Sequence, residues 1–384
     1  MIVDLMTLDV GYDVPARPGM RLDEVATPCL MLDLDALERN ITQMGRRARA
    51  LGVAHRAHGK MHKSADVARL QMRLGGAVGI CCQKVSEAEA FVRAGIADVL
   101  ISNQVRGPAA IDRLARLPLR GARVAVCLDD VANVAVLAAA VARHGTQIYC
   151  LVELECGAGR CGVMGPDAAL ALAQAIAAAP GLQFAGLQAY HGGVQHLGTD
   201  AERRGVMSGV LDIVRDTAAL LATRGLPCET VTGAGTGSFE MEGASGIYTE
   251  IQCGSYAFMD ADYGRITDAG GARLDATWEH ALFVVAQVVS HVLPQRAVLD
   301  AGLKAMSGES GLPVVAGAPD LIATSLSDEH CVLDDPTGRL RVGDRVRLVP
   351  GHCDPTCNLH DWYVGVRGGV VECLWPVTAR GKVF

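Results

Sequence analysis

From about residue 53 the chain alternates short apolar runs with longer Ala- and Leu-rich segments of helical spacing. The apolar runs are Val53–Ala57, Ala77–Cys82, Asp98–Ser102, Arg123–Cys127, Gln147–Glu155, Leu182–Tyr190, Cys228–Thr232 and Thr249–Tyr256. Runs of this length between turn signals predict buried strands. Val85–Ala94, Val131–Arg143, Pro166–Ala178 and Glu202–Arg224 predict helices between them. Strand–helix alternation predicts a parallel sheet with right-handed crossovers. Eight units over roughly 200 residues fit a closed (β/α)8 barrel better than an open sheet. The last unit, between Thr232 and Thr249, is short and Gly-rich, which leaves its helix poorly marked.

The flanks read differently. Residues 1–26 are irregular, with a turn at Pro15–Gly19, and Thr27–Asp33 predicts a strand. Asp35 is a candidate N-cap for a helix whose apolar positions are Leu37, Ile41, Met44 and Ala48. After about residue 270 helical spacing fades. β-Branched runs take over at Ala281–Val289, Ala297–Asp300, Leu340–Val349, Trp362–Arg367 and Gly369–Trp375. These predict a second, mostly β domain, with Thr27–Asp33 as its candidate N-terminal strand. The expected division is a barrel at 34–268 and a β domain formed by 1–33 plus 269–384.

Composition narrows the class. A chain of 384 residues with 50% hydrophobic residues can build a large core. The net charge of −7 and the lack of a basic run argue against a nucleic-acid partner. No apolar run has the length of a bilayer span. The N-terminus shows no basic flank before an apolar run, and the 13 cysteines are scattered, so reduced thiols and a cytoplasmic location are expected.

In a barrel of this kind the chemistry sits at the C-terminal ends of the strands. The first strand ends at His58-Gly59-Lys60-Met61-His62-Lys63. A lysine here suits a Schiff-base nucleophile, since partial desolvation and nearby cations lower its pKa. The second strand ends at Gln83-Lys84, the fifth at Glu155–Gly162 with Arg160, and the sixth at Tyr190-His191 with His196 beyond. After the seventh comes Gly233-Ala234-Gly235-Thr236-Gly237-Ser238, and after the eighth Cys253-Gly254-Ser255-Tyr256. Two Gly/Ser/Thr loops at these positions form a candidate phosphate cup, with Gly235, Thr236, Gly254, Ser255 and Tyr256 as its residues. Lysine, arginine, aromatic ring and cup together match what pyridoxal phosphate needs. Each has a plainer alternative: Lys60 as a solvated surface lysine, the glycine loops as tight turns, Arg160 paired to Glu155, Tyr190 in the core, and His191 and His196 as structural histidines.

In the C-terminal part, His352 and Asp354 would share one face of an extended segment. One imidazole and one carboxylate suit a divalent cation such as Mn²⁺, Mg²⁺ or Zn²⁺, with open positions as in catalytic sites. A polar Asp-Pro turn, or a softer zinc site of His352, Cys353 and Cys357, are the alternatives.

Several of these stretches resemble a known family. They are Leu32–Leu37, His58–Lys63, Gly79–Glu89, Ala189–His196, Gly233–Gly237, Gln252–Arg265 and His352–Thr356. Over nearly the whole chain they resemble the D-threonine aldolase / D-serine dehydratase group of alanine-racemase-like, fold type III pyridoxal phosphate enzymes. The resemblance implies pyridoxal phosphate on Lys60, with Arg160 at its phenolic oxygen, Tyr190 against its ring and Gln252 near its pyridine nitrogen. It also implies a divalent metal on His352 and Asp354, Mn²⁺ first among candidates, and a homodimer with the active site near the subunit interface. Within the group His-x-Asp resembles aldolases and His-x-Cys resembles dehydratases. The expectation is therefore retro-aldol cleavage of a D-3-hydroxy amino acid, with His196 as base. The alternatives are a dehydratase of D-serine or D-3-hydroxyaspartate, a non-catalytic pyridoxal phosphate carrier, and a cofactor-free metal hydrolase.

Overall fold

The computed structural model describes residues 8–384. The expected irregular stretch 1–26 therefore lies partly outside the described residues. Strand β1 (Cys29–Asp33) leads into the helix Leu34–Leu51. Its N-cap is Asp33, not Asp35: the Asp33 carboxylate accepts from Ala36 N at 3.0 Å. Asp35 instead lies in the first turn, where a carboxylate also favours the helix.

Eight strands then close a parallel barrel: β2 (Ala54–His58), β3 (Gly79–Cys82), β4 (Asp98–Gln104), β5 (Arg123–Leu128), β6 (Ile148–Glu153), β7 (Leu182–Ala189), β8 (Thr230–Gly233) and β9 (Glu250–Ile251). Strand β9 pairs with both β8 and β2, which completes the ring. It is far shorter than Thr249–Tyr256, because Gly254 breaks the extended run and Ser255–Ala257 coils into a 3-10 turn. The last crossover carries a short helix, Phe239–Gly243. Cys81, Leu100, Ala125, Cys127, Leu151 and Ala185 fill the barrel interior, and a larger cluster packs between strands and helices. Small side chains inside the barrel leave room at its upper rim.

Among the described residues the second sheet has nine strands: β1 with β10 (Leu282–Leu293), β11 (Arg296–Leu299), β12 (Val314–Val315), β13 (Ile322–Leu326), β14 (Cys331–Asp334), β15 (Arg345–Val349), β16 (Trp362–Arg367) and β17 (Val370–Pro376). Strand β1 lies between β10 and β16, with Leu30 opposite both Val284 and Tyr363. Several contacts fasten this sheet to the barrel rim. The Tyr363 hydroxyl donates to His62 O at 2.6 Å, and Cys353 N donates to the Asp260 carboxylate at 2.9 Å. The C-terminal segment returns to the barrel as well, with Ala379 N on Lys63 O at 2.8 Å.

Candidate active site

The turn after β2 is built around Gly59. A Cβ there would lie 2.7 Å from Ile80 and 2.8 Å from Phe91, so only glycine lets the chain pass. Lys63 closes the turn with φ 52° and anchors it through a buried ion pair to Glu87 at 2.8 Å. Lys60 is thereby presented to a cleft lined by His58, Gln83, Arg160, Gln188, Tyr190, His196, Gln252, Tyr263, His352 and Asp354. The two glycine loops form another wall through Ala234, Gly235, Thr236, Gly254 and Ser255.

Lys60 Nζ lies 3.4 Å from Asp354 Oδ2. This corrects the expected electrostatics. The Asp354 charge is the largest influence on Lys60 and raises its pKa, against burial and against Arg160. The carboxylate in turn is held low: burial opposes its charge, but Lys60 and His352 favour it more strongly.

The His352-x-Asp354 segment is not extended. His352 is the N-cap of the short helix Cys353–Cys357, and Asp354 lies in its first turn. A helical turn still brings the two side chains together, with His352 Nε2 3.6 Å from Asp354 Oδ1, too long for a hydrogen bond. His352 Nδ1 bonds Glu309. Burial disfavours the His352 charge, yet Asp354 and Glu309 raise its pKa to about 9. Asp354 Oδ1 is buried without a hydrogen-bond partner among the described residues. An orphaned carboxylate oxygen facing an imidazole fits an open, mixed N/O cation site. Among the described residues no group of three or more His, Cys, Asp or Glu side chains forms a fuller metal site. Cys353 and Cys357 are fully buried in the core, so they do not join His352 in a thiolate site.

The glycine loops are tight for a visible reason. A Cβ on Gly235 would meet Gln195 Oε1 at 2.5 Å, and one on Gly254 would meet His58 Cβ at 3.0 Å. Gln195 is itself fixed, accepting from Gly237 N at 2.9 Å and donating to Ser238 Oγ at 2.7 Å. The backbone N–H groups of Thr236, Gly254 and Ser255 have no hydrogen-bond partner among the described residues. Free amides around a cleft that glycines keep open fit a phosphate. Tyr256 does not belong here: its ring is buried in the core and its hydroxyl accepts from Gln71 at 3.1 Å. Only its backbone takes part, donating to Thr236 Oγ1 at 3.0 Å and joining the two loops.

Arg160 is not paired to Glu155. The Glu155 carboxylate accepts instead from the backbone of Gly157, Gly159 and Arg160 at 2.6–3.1 Å, which shapes the loop. The guanidinium is left 5.7 Å from the Tyr190 ring, in cation–π range. At the floor, Gln252 Nε2 donates to Gln188 Oε1 at 2.6 Å and to Thr232 Oγ1 at 2.9 Å. The Thr232 hydroxyl donates onward to Glu250, which Arg56 grips in a buried pair. This relay commits both amide hydrogens of Gln252, so it has no N–H to offer the cleft.

The histidines divide. His62 faces the core, bonded to Gln71 and Ser64 N. His191 caps a turn through Val194 N. His58 and His196 line the cleft. Burial keeps His58 neutral, with Gln83 Nε2 3.1 Å from its Nε2. His196 Nδ1 lies 2.7 Å from Asp262 Oδ2. Ser102, Gln188, Tyr263 and Asp262 carried no sequence signal of their own. Ser102 and Gln188 sit at strand ends, where rim position alone could have marked them.

A lysine at the mouth of the first barrel strand, a glycine cup at the seventh and eighth, and a β domain over the rim define the alanine-racemase-like class. The comparisons agree. The family model "Alanine racemase, N-terminal domain" matches residues 32–262 and "Putative serine dehydratase domain" matches 281–366. The chain is 59% identical to 3-hydroxy-D-aspartate aldolase of Paracoccus denitrificans (strain Pd 1222), over 99% of both chains. It is 48% identical to D-threonine aldolase of Arthrobacter sp., over 97% of both. Its fold superposes on the crystal structure of D-threonine aldolase from Filomicrobium marinum with TM-score 0.93, at 47% identity, covering 97% of this chain and 100% of that one. The chain belongs to the alanine-racemase-like family, in its D-threonine aldolase / D-serine dehydratase group, and it is a lyase of aldolase type. The non-catalytic alternative is thereby set aside.

Proposed function

We propose that this lyase cleaves the Cα–Cβ bond of D-3-hydroxy amino acids, D-threonine and 3-hydroxy-D-aspartate among them, with pyridoxal 5'-phosphate and a divalent metal. The observation that carries the reading is the meeting of Lys60, Asp354, His352 and His196 around one cleft whose far wall is the glycine cup. Lys60 would hold the cofactor covalently. The amides of Thr236, Gly254 and Ser255 would hold its phosphate, and Tyr190 and Arg160 would border its ring. Asp354 Oδ1 and His352 Nε2 would hold the metal, Mn²⁺ being the first candidate and Mg²⁺ or Zn²⁺ the others. When bound, the cofactor supplies an electron sink at Cα and the metal a Lewis acid.

The protein's own residues have separate tasks. The cationic Arg160 side draws in an anionic amino acid. His196 Nε2 takes the β-hydroxyl proton. That oxygen becomes the aldehyde carbonyl, the Cα–Cβ pair stays with Cα, and a proton returned there gives glycine. D-Threonine then yields acetaldehyde, and 3-hydroxy-D-aspartate yields glyoxylate. The named aldolase relatives and the His-x-Asp pattern favour this over dehydration, which would release ammonia and a 2-oxo acid.

Two further readings accompany it. The barrel at 34–268 and the β domain of 1–33 plus 269–384 act as the cofactor and metal halves of one site. The enzyme works as a cytoplasmic homodimer; its unpaired cysteines suit a reducing compartment. Product analysis with both substrates, with and without chelator, tests the activity, and solution mass tests the dimer.

A further inference from the structure

One four-residue helix, Ala261–Gly264, touches both halves of the site. Asp260 caps it, accepting from Tyr263 N at 3.0 Å through Oδ1. Its Oδ2 accepts from Cys353 N at 2.9 Å, which pins the helix that carries Asp354. Ala261 N and Asp262 N donate to Pro350 O and Gly351 O, each at 3.1 Å. Two residues after Asp260, the carboxylate of Asp262 turns the other way and meets His196 Nδ1 at 2.7 Å. Asp262 is 6% exposed and His196 is 53% exposed, so a buried anchor holds an exposed ring.

The chemistry of the pair follows from a third residue. Asp262 Oδ1 accepts from the Arg265 guanidinium, so the carboxylate meets both neighbours as an acceptor. The hydrogen between Asp262 and His196 must then sit on His196 Nδ1. In the neutral form of the ring, which lines the cleft, that leaves Nε2 with its lone pair free. Ring orientation and tautomer are both decided by one carboxylate.

We propose that Asp262 is a positioning residue for the carbon–carbon cleavage. It locks His196 in the Nδ1–H form, and through the helix it shares with Asp260 it sets that base against the His352–Asp354 pair. This rests on the reading of His196 as the base. Arg265 makes the test sharp. In Asp262→Asn the amide oxygen stays with the Arg265 guanidinium, and the amide NH₂ faces His196 Nδ1. The ring must then move its hydrogen to Nε2 and cease to be a base.

The test is long-range ¹H–¹⁵N spectroscopy of the His196 ring in the intact holoenzyme, together with kcat and KM. The wild type should show hydrogen on Nδ1, and Asp262→Asn should show it on Nε2. In that variant kcat should fall by roughly 10²-fold or more while KM changes little, and Asp262→Glu should recover part of the loss. Hydrogen on Nε2 in the wild-type protein overturns the proposal without any variant. So does Asp262→Asn with kcat within about twofold of wild type. His196→Gln separates the two claims. If it stays active, the base assignment falls; if it is inactive while Asp262→Asn is normal, only the role of Asp262 falls.

Discussion

Lys60 Nζ and Asp354 Oδ2 lie 3.4 Å apart, one on the barrel rim and one on the β domain. The carboxylate that steadies the lysine charge also carries the orphaned Oδ1 that suits a cation. The amine and the proposed metal would therefore share one anion. Asp354→Asn should lower kcat roughly 10²-fold or more and abolish tight metal binding by calorimetry, while Lys60 still takes up pyridoxal phosphate. A variant that binds metal and turns over normally would remove Asp354 from the site.

Gly235→Ala tests the cup. Its added methyl group would press on Gln195, which is locked by Gly237 and Ser238 and cannot swing aside. The loop should shift and pyridoxal phosphate affinity should fall by about tenfold or more, with kcat largely restored at saturating cofactor. Unchanged cofactor affinity would mean that the phosphate sits elsewhere.

Behind the same loop lies a pH-sensitive group. Burial pushes the Glu242 carboxyl up to about 7, while the Ser238 hydroxyl pulls it down less strongly. Its Oε2 has no hydrogen-bond partner among the described residues. The folded protein therefore keeps a proton that the unfolded chain loses near the ordinary carboxylate value. Stability from this group is full below that value and is lost as pH rises through about 7. Glu242→Gln should be more stable than wild type above neutrality, by up to about 3 kcal/mol, and should lose this part of the pH dependence. Thermal midpoints from about pH 5 to about pH 9 check it; parallel curves for the two proteins would contradict it.

Glu155→Ala should loosen the Arg160 loop without unfolding the protein. Three backbone bonds converge on this carboxylate, and nothing else in the loop replaces them. We expect kcat/KM to fall by about tenfold with the thermal midpoint nearly unchanged. Arg160→Leu should cost more than Glu155→Ala. The reverse order would mean that the loop matters for folding and not for the substrate.

The barrel and its rim were readable because both follow from period. Apolar strands alternate with helices, and the residues just beyond each strand fall at one end. That logic reached Lys60, Tyr190, Gly235 and Gly254 directly. It did not reach anything set by contact across the chain. Lys60 was expected to have a lowered pKa, because Asp354 is invisible beside it in sequence. His352 and Asp354 were read as strand neighbours. Asp260 takes the Cys353 amide instead, and a short helix starts there. Tyr256 looked like part of the cup because it follows Ser255, but its ring turns into the core. Strands β12 and β13 are short and largely exposed, so they left little apolar trace. Asp262 lay within a stretch that marked the family and showed no role until His196 was seen beside it.

The most direct test of the whole account is product analysis with D-threonine as substrate. Holoenzyme should release glycine and acetaldehyde in equal amounts, and chelation should stop both until Mn²⁺ is restored. Ammonia and a 2-oxo acid as the products, or turnover that survives complete metal removal, would contradict it.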